Sequence, residues 1–238
     1  MTGEAPVTVI SVRGVAQRMV EPDSVVLSCF ISSSRQEKPE ALEAVSDVLE
    51  HLRAALGELG GVPLTARNGL SELTWSAHSI RTHVERDLEA KTGRTEPTGR
   101  VVASVDLHLA VRDFGLLQRI GSLLAEHPEL QIAHVAWLVD RDNAAWPAVR
   151  AEAIRAAVRQ ARHYAEALGG SLSQVEQIAD VGLLGASQEF QPVRAAAAKH
   201  VMAGGDSGDV PSLDPVPQTL TATVDARFVA LAMSIDES

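Results

Sequence analysis

The sequence contains few aromatic residues and no long run of basic residues. Aromatic residues make up only 3% of the 238 positions, too few for the stacked rings on which proteins bind single-stranded nucleic acid. The formal net charge is −10, and lysine and arginine never cluster beyond a pair, whereas a phosphate-binding surface needs a basic stripe. We therefore expect no binding to DNA or RNA.

Cysteine is almost absent as well. Cys29 is the only cysteine, so the chain can form no internal disulfide and no cysteine-based zinc site. It lies within the apolar run from Val25 to Ile31, which is typical of a strand. We therefore expect a small buried hydrophobic side chain at this position rather than a reactive thiol.

Long hydrophobic segments are missing too. No apolar run approaches the roughly 18 to 20 residues that a membrane-spanning helix needs. The first residues, from Met1 to Pro6, have neither the basic start nor the apolar segment of an export signal. We therefore expect no membrane insertion and a cytoplasmic location. The apolar fraction of 45% is that of an ordinary globular chain, which can bury a core.

Apolar periodicity divides the chain into short strands and three helices in the order β-β-α-β-β-α-β-α-β-β. Strand pairs separated by single helices favour antiparallel or mixed β-sheets with helices packed on one face, which is an α+β fold. The turn at Pro22-Asp23 predicts a hairpin between the first two strands. The predicted strands are 7–15, 24–32, 71–82, 100–111, 130–139, 172–184 and 219–232, and the helices are 39–59, 114–126 and 146–168.

Two helices and one strand have particularly regular patterns. The strand over 100–111 alternates apolar and polar residues, so Ser104, Asp106 and His108 are expected on the face away from the core. The helix over 146–168 is rich in alanine, which lets another element approach closely. Its predicted inner stripe is Ile154, Val158, Ala161, Ala165 and Leu168. The stripe of the first helix is Leu42, Val45, Leu49, Leu52, Leu56 and Leu59.

The expected domain organisation is simple. A tail of residues 1–6 precedes one domain over residues 7–235, and a division of that domain into two α/β subdomains stays open. The segments 86–99 and 185–217 are predicted to be flexible loops, because the first is mainly polar and the second contains a run rich in Gly, Ser, Asp and Pro.

Three short motifs follow one another along the chain. The first is Ile10-Ser-Val12-Arg-Gly14, followed by Pro22-Asp23 and an apolar strand, and the second is the strand over 100–111 with the short Leu-rich helix after it. The third is an alanine-repeat helix that ends in Ala167-Leu168-Gly169 and is followed by Leu172-Ser-Gln-Val175. Together they resemble the SIMPL-domain family, named for a signalling molecule associated with a pelle-like kinase, from about residue 7 to residue 232.

The resemblance carries expectations about structure and function. It implies a mixed α/β fold, a tendency to form ring-like or cage-like homo-oligomers and no known catalytic activity, and it offers no agreed catalytic residues to transfer. The family also includes bacterial periplasmic immunogens, many of which carry an export signal. Because the first residues here do not have the pattern of such a signal, we do not extend a periplasmic location to this chain. Ala16 stands where the family often has a second glycine.

The eight histidines show no spacing typical of a metal site. His78 and His83 lie five positions apart, too far for one helical face and on opposite faces of the predicted strand. His83-Val-Glu85 is similar to a fragment of a deaminase motif, but no Pro-Cys-x-x-Cys completes it. No His-Glu-x-x-His is present either. We expect surface or half-buried histidines and no metal site.

Other catalytic patterns are equally incomplete. Ser207 lies in Gly205-Asp-Ser207-Gly208, similar to the segment around a serine-protease nucleophile, but without a matching histidine and aspartate context. No Walker loop and no Gly-x-Gly-x-x-Gly follows a strand. Asp140 and Asp142 precede the alanine-rich helix and are expected to cap it. The three tryptophans, Trp75, Trp137 and Trp146, are candidates to anchor an interface. For Trp137, which alternates with Val135 and Val139, core packing is the alternative.

These observations predict no catalytic, cofactor-binding or metal-binding residues and no enzymatic activity. The leading hypothesis is a non-enzymatic SIMPL-domain protein that acts through self-assembly, as a homo-oligomer, or through a protein partner. The alternative is a small-molecule binding module with a pocket between the sheet and the alanine-rich helix. A third hypothesis is a hydrolase that uses Ser207 or a histidine.

Overall fold

A computed structural model describes residues 8–64, 71–88, 95–183 and 213–231. It confirms an α+β fold with antiparallel and mixed sheets. The strands in the described residues are β1 (Thr8–Val20), β2 (Ser24–Arg35), β3 (Val62–Pro63), β4 (Leu73–Ala77), β5 (Arg81–Leu88), β6 (Thr95–Val111), β7 (Leu130–Leu138), β8 (Ser171–Asp180) and β9 (Gln218–Leu231). The α-helices are α1 (Lys38–Glu58), α2 (Leu117–Ala125) and α3 (Trp146–Ala167), with a 3₁₀ turn at Phe114–Leu116.

The described residues divide into two compact units, each with its own hydrophobic cluster. The first unit contains residues 8–21, 139–183 and 217–231. The second contains residues 22–64, 71–88, 95–138 and 213–216. The chain therefore passes from one unit to the other between β1 and β2, and again between β7 and α3.

The first unit is a three-stranded antiparallel sheet in the order β1-β9-β8, with α3 packed against it. β1 and β9 pair along their full length, from Thr8 opposite Ala230 to Val20 opposite Gln218. Alternate residues of both strands point toward α3, as expected when one face of a sheet is covered. Its buried residues are Ile10, Val12, Val149, Ala153, Ala157, Ala161, Ala165, Leu220, Ala222, Val224, Ala226, Phe228 and Ala230.

The second unit is a six-stranded mixed sheet in the order β3-β4-β6-β2-β7, with β5 also paired to β6. α1 packs against β2 and β6. Pro39 lies in its first turn, where a missing N–H does not matter, and the helix ends before Gly60, which has φ 79°. Four residues of the predicted stripe are buried, and Leu42 and Leu59 are partly buried. The four are Val45, Leu49, Leu52 and Leu56.

The predicted hairpin between the first two strands is wrong. β1 pairs with β9, whereas β2 pairs with β6 and β7, so the Pro22-Asp23 connection links two different sheets. Turn residues specify where a strand ends. They do not specify its partner, and among the described residues β1 pairs only with the distant β9, along its full length.

The segment over 71–88 also differs from the prediction. The single predicted strand over 71–82 is two strands, β4 and β5, separated at residues 78–80, and the two-residue β3 is additional. Residues 86–88 and 95–99 of the predicted loop continue β5 and β6 instead, with Arg86 opposite Pro97. Strands are held together by backbone hydrogen bonds, which polar residues form as well as apolar ones. The polar composition of residues 86–88 and 95–99 therefore indicates side chains exposed to solvent and does not exclude a strand. Most of the predicted loop over 185–217 lies outside the described residues.

Two residues of the predicted inner stripe of α3, Ala161 and Ala165, are buried as expected, and the other three are not. The buried residues are Val149 and four alanines, whereas Ile154 and Val158 are only partly buried and Leu168 is 41% exposed. The smallest side chains therefore face the sheet, because α3 packs closely against β1. β8 is also shorter than the predicted strand over 172–184, since Gly182 turns the chain with φ 85°.

Candidate functional site

β6 aligns a row of polar side chains on the face of the second unit's sheet away from the core. Leu107 and Leu109 are fully buried, whereas Asp106 and His108 are partly exposed on the opposite face, as the alternation predicted. His108 lies opposite Ser28 of β2 and opposite Ser76 of β4. Residues from three strands therefore meet around the middle of β6.

Five polar residues around the middle of β6 form a continuous chain of contacts, and we refer to them as the polar cluster: Ser28, His78, Arg81, Asp106 and His108. The backbone N–H of His78 donates to the Asp106 carbonyl at 3.0 Å, which fixes the chain just after β4 beside β6. The His78 Nδ1 atom lies 3.9 Å from Asp106 Oδ2, and the Arg81 guanidinium donates to the same carboxylate. The two imidazole rings have centroids 5.3 Å apart, and His108 Nδ1 lies 3.2 Å from Ser28 Oγ.

The polar cluster contains Ser, His and Asp, but it is not arranged as a catalytic triad. Asp106 contacts His78 and Arg81 rather than His108, so the carboxylate does not orient the imidazole that touches Ser28. Ser28 also lies in the middle of β2, between two paired strands, where backbone N–H groups serve the sheet. They are not arranged as the oxyanion hole that acyl transfer needs.

The histidine positions correct one sequence expectation. His78 lies in the connection after β4 and His83 lies in β5 opposite Val102, so they do not occupy opposite faces of one strand. His78 instead meets His108, which is distant in sequence. Within the described residues, no three His, Cys, Asp or Glu side chains converge in a way that could hold a metal ion.

The first unit has a different polar feature on the sheet face opposite α3. The Arg13 guanidinium donates to both carboxylate oxygens of Asp225, at 2.7 and 3.1 Å, and Asp225 also accepts from the Gly182 N–H at 3.3 Å. The hydrogen bond from Arg13 lowers the pKa of Asp225, and the same bond raises the pKa of Arg13. This contact crosses from β1 to β9 and ties the turn after β8 to the sheet.

The two outer strands of the first unit carry opposite charges. Among the described residues β1 and β8 pair only with β9, so each leaves one backbone edge without a strand partner. β1 contains two arginines and no acidic residue, whereas β8 contains Glu176 and Asp180 and no basic residue. Val175 and Ile178 of β8 are 51% and 44% exposed, so this edge combines unpaired backbone with apolar side chains.

The alternative hypothesis of a ligand pocket concerns the space between the sheet and the alanine-rich helix, which includes the crossing of α3 over β1. A Cβ atom added at Gly14 would overlap the carbonyl oxygen of Ala153 and lie 2.7 Å from the backbone nitrogen of Ala157. The helix backbone therefore rests directly on the strand. The expectation that alanine permits a close approach is confirmed, and at this crossing the packing leaves no space for even a methyl group.

The sequence also singled out the cysteine, the three tryptophans and Ser207. Cys29 is 2% exposed, which confirms a buried side chain, and burial raises the pKa of its thiol to about 12. The three tryptophans pack against the hydrophobic clusters, Trp75 and Trp137 in the second unit and Trp146 in the first. Ser207 lies outside the described residues.

Neither of the predicted aspartates is the N-cap residue of α3. Its N-cap residue is Ala145, with no side-chain cap, and the Asn143 side chain accepts from the Ala145 N–H at 2.8 Å. The indole N–H of Trp146 donates to the Asp140 carbonyl, also at 2.8 Å, which closes the turn before the helix. The Asp113 side chain accepts a hydrogen bond from the Gly115 N–H at 2.9 Å, at the start of the 3₁₀ turn.

The architecture defines an α+β protein with two sheet-and-helix units. The SIMPL family, described as a protein of unknown function (DUF541), matches residues 10–228, and the chain therefore belongs to this family. No curated protein matched the chain. Among the described residues, no helix has both the length and the apolar character needed to cross a bilayer.

Proposed function

We propose that the protein has no enzymatic activity and acts by assembling with copies of itself, or with a protein partner, through the outer strands of its three-stranded sheet. The observation that carries this proposal is the β8 edge, where Val175 and Ile178 are exposed beside backbone without a strand partner in the described residues. Such an edge is a ready template for pairing with another strand.

Charge indicates which edge of a second copy would fit. β8 is acidic and β1 is basic, so β8 of one copy would meet β1 of the next with opposite charges. Such a contact joins two different surfaces, and repeating it gives a ring if the rotation closes or a chain if it does not. Pairing β8 with β8 would instead bring two acidic strands together, which is less favourable.

The first test is the mass of the purified full-length chain at micromolar concentration by light scattering. We expect a multiple of the 25.3 kDa chain mass, and a strictly monomeric mass would overturn the self-assembly proposal. Val175→Lys is expected to reduce the assembled fraction, because a charge on an edge strand opposes pairing. Val84→Lys is the matched control, since Val84 is also 51% exposed but lies in the second unit.

A charge exchange tests which edges meet. We expect Arg18→Glu and Glu176→Arg each to reduce assembly and the double variant to recover it, because opposite charges again face each other. A double variant that assembles no better than either single variant would exclude this β1–β8 contact. Assembly that responds to Glu176→Arg but not to Arg18→Glu would indicate pairing between two β8 strands.

The alternative of a small-molecule pocket has weaker support. The close packing at Gly14 does not favour a cavity between α3 and β1, so we put assembly forward as the function. A cytoplasmic location stays a prediction from the sequence.

A further inference from the structure

We propose that the outer face of α3 docks on the outer face of α1 of a second copy of the chain, with the two helices running in opposite directions. The inference concerns a contact between helices, so it goes beyond the proposed pairing of outer strands and does not depend on it. The two helices belong to different units, and each has a row of exposed charged side chains opposite its buried stripe. The charges of the two rows are complementary.

The outer face of α3 is basic, although the chain as a whole has a formal net charge of −10. Arg155, Arg159 and Arg162 follow one another at steps of four and three residues, on the side opposite the stripe that packs on the sheet. All three side chains are exposed, and no acidic residue lies between them. Glu152 and Glu166 stand only at the two ends of this row. The face therefore presents three positive charges within about two helical turns.

The outer face of α1 has the opposite charge. Its exposed acidic residues are Glu40, Glu43, Asp47 and Glu50, and no lysine or arginine lies between them. Glu43, Asp47 and Glu50 repeat the steps of the three arginines. Glu40, Glu43 and Asp47 repeat the same steps in reverse order. An acidic residue can therefore stand opposite each arginine whether the two helices run in the same direction or in opposite directions.

Neither row is neutralised by the part of the chain that the structure describes. Among those residues, the three arginines and the four acidic residues form no ion pair and no side-chain hydrogen bond. Like charges three and four positions apart on one helix repel each other. Bringing the two rows together relieves this repulsion in both helices, because each charge gains an opposite neighbour.

The contact should be weak and sensitive to salt. Exposed ion pairs contribute little individually, so the two rows determine which faces meet more than how tightly they bind. Salt screens such charges, since the Debye length falls from about 10 Å at 0.1 M to about 3 Å at 1 M. The helix dipoles favour opposite directions, and in that arrangement Glu40 faces Arg162.

The experiment is sedimentation of full-length variants over a series of concentrations, in a Val175→Lys parent chain that disfavours strand pairing. The acidic variant Arg155→Glu/Arg159→Glu and the basic variant Glu43→Arg/Asp47→Arg each place like charges on both helices. We expect each variant alone to associate at least about tenfold more weakly than the parent chain. An equal mixture should associate again, because α1 of the acidic variant meets α3 of the basic one.

The matched control is Glu72→Arg/Glu126→Arg, which changes the net charge equally at exposed positions of the second unit outside α1. It should associate as the parent chain does, and circular dichroism checks that each variant is folded. A control that weakens association as much as the basic variant overturns the proposal. So does a mixture that associates no better than its components, or a parent chain that stays monomeric at every concentration.

Two further comparisons separate this contact from its alternatives. Glu40→Arg should weaken association more than Glu50→Arg, and the reverse order would overturn the opposite direction of the helices. In the wild-type background, association that Val175→Lys abolishes and the helix variants do not change would overturn the helix contact and leave strand pairing in place. Association that only the helix variants weaken would overturn strand pairing instead.

Discussion

Gly14 is a residue at which one added carbon atom would overlap the backbone of a neighbouring helix. The α3 backbone at Ala153 and Ala157 lies against its hydrogen atoms, so a methyl group has to displace backbone rather than a flexible side chain. The alanine stripe of α3 and the glycine of β1 are thus two sides of one contact. Replacing either side by a larger residue would separate the helix from the sheet.

We predict that Gly14→Ala destabilises the first unit by about 3 kcal/mol, since overpacking against backbone cannot relax locally. Gly57→Ala is the control, because Gly57 lies in α1 with nothing within 4 Å of an added Cβ. That change should stabilise the protein by about 0.5 kcal/mol through helix propensity. Urea unfolding measures both, and equal effects of the two substitutions would contradict the close contact at Gly14.

Asp225 links stability to pH. Its pKa is lowered in the folded protein by Arg13, so its contribution is present above the unfolded-state pKa of about 3.9 and is lost as the pH falls through the folded value. We predict that Asp225→Asn costs about 1 kcal/mol at pH 7, a modest value because Arg13 is 57% exposed. The difference from wild type should shrink below about pH 4.

Unfolding curves at several pH values measure this difference. Arg13→Gln should show the same pH dependence, and the double variant should lose little more than either single variant. A difference between Asp225→Asn and wild type that stays constant down to pH 2 would argue against the ion pair as its cause.

At the scale of elements, β7 shows how one extra residue changes which side chains are buried. β2 pairs Ser28 with His134 but Cys29 with Ile132, so Ala133 is an additional residue on β7. Ile132 and Val135 therefore both pack toward the core, although they differ by three positions. The bulge also interrupts an outer strand that has no Asp, Glu, Lys or Arg, which hinders pairing with other chains.

We predict that deletion of Ala133 leaves the second unit within about 1 kcal/mol of wild type, because it makes β7 regular without reversing any face. Deletion of Ala136, the matched control, has to turn either Val135 or Trp137 away from the core and should cost about 2–3 kcal/mol. Near-UV circular dichroism of Trp137, whose ring meets Phe114 at 5.6 Å, reports the packing. Equal losses from both deletions would contradict the bulge.

The candidate site shows what alternation can and cannot predict. The pattern of β6 correctly placed Asp106 and His108 away from the core, because side chains of a strand alternate regardless of its partners. It could not indicate that His78, Arg81 and Ser28 join them. Those contacts depend on which strands neighbour β6 and in what register, and no local pattern carries that information.

At the scale of the whole molecule, Cys29 is a natural probe of the second unit. It is buried among residues of that unit's hydrophobic cluster, and a pKa of about 12 leaves roughly one thiolate in ten thousand at pH 8. Labelling by a thiol reagent therefore requires opening of the second unit. Its rate reports the free energy of that opening.

We predict that Leu52→Ala, in the core of the second unit, accelerates Cys29 labelling at least tenfold, because such substitutions cost about 2–5 kcal/mol. Gly14→Ala, in the first unit, should also accelerate Cys29 labelling, but by a smaller factor than its loss of unfolding free energy would give if both units opened together. The reason is that the two units have separate hydrophobic clusters. Equal acceleration by the two variants would show that the units unfold together.

The sequence by itself determined the α+β class, the three helices, the faces of the alternating strands and the burial of Cys29. These properties follow from periodicity and side-chain chemistry within short segments. Only the tertiary structure decided that β1 pairs with β9 rather than β2, that the smallest residues of α3 face Gly14, and that His78 meets His108. The reason is that strand pairing and close backbone contacts depend on the apolar surface that distant segments bury together. No pattern within a short segment contains that information.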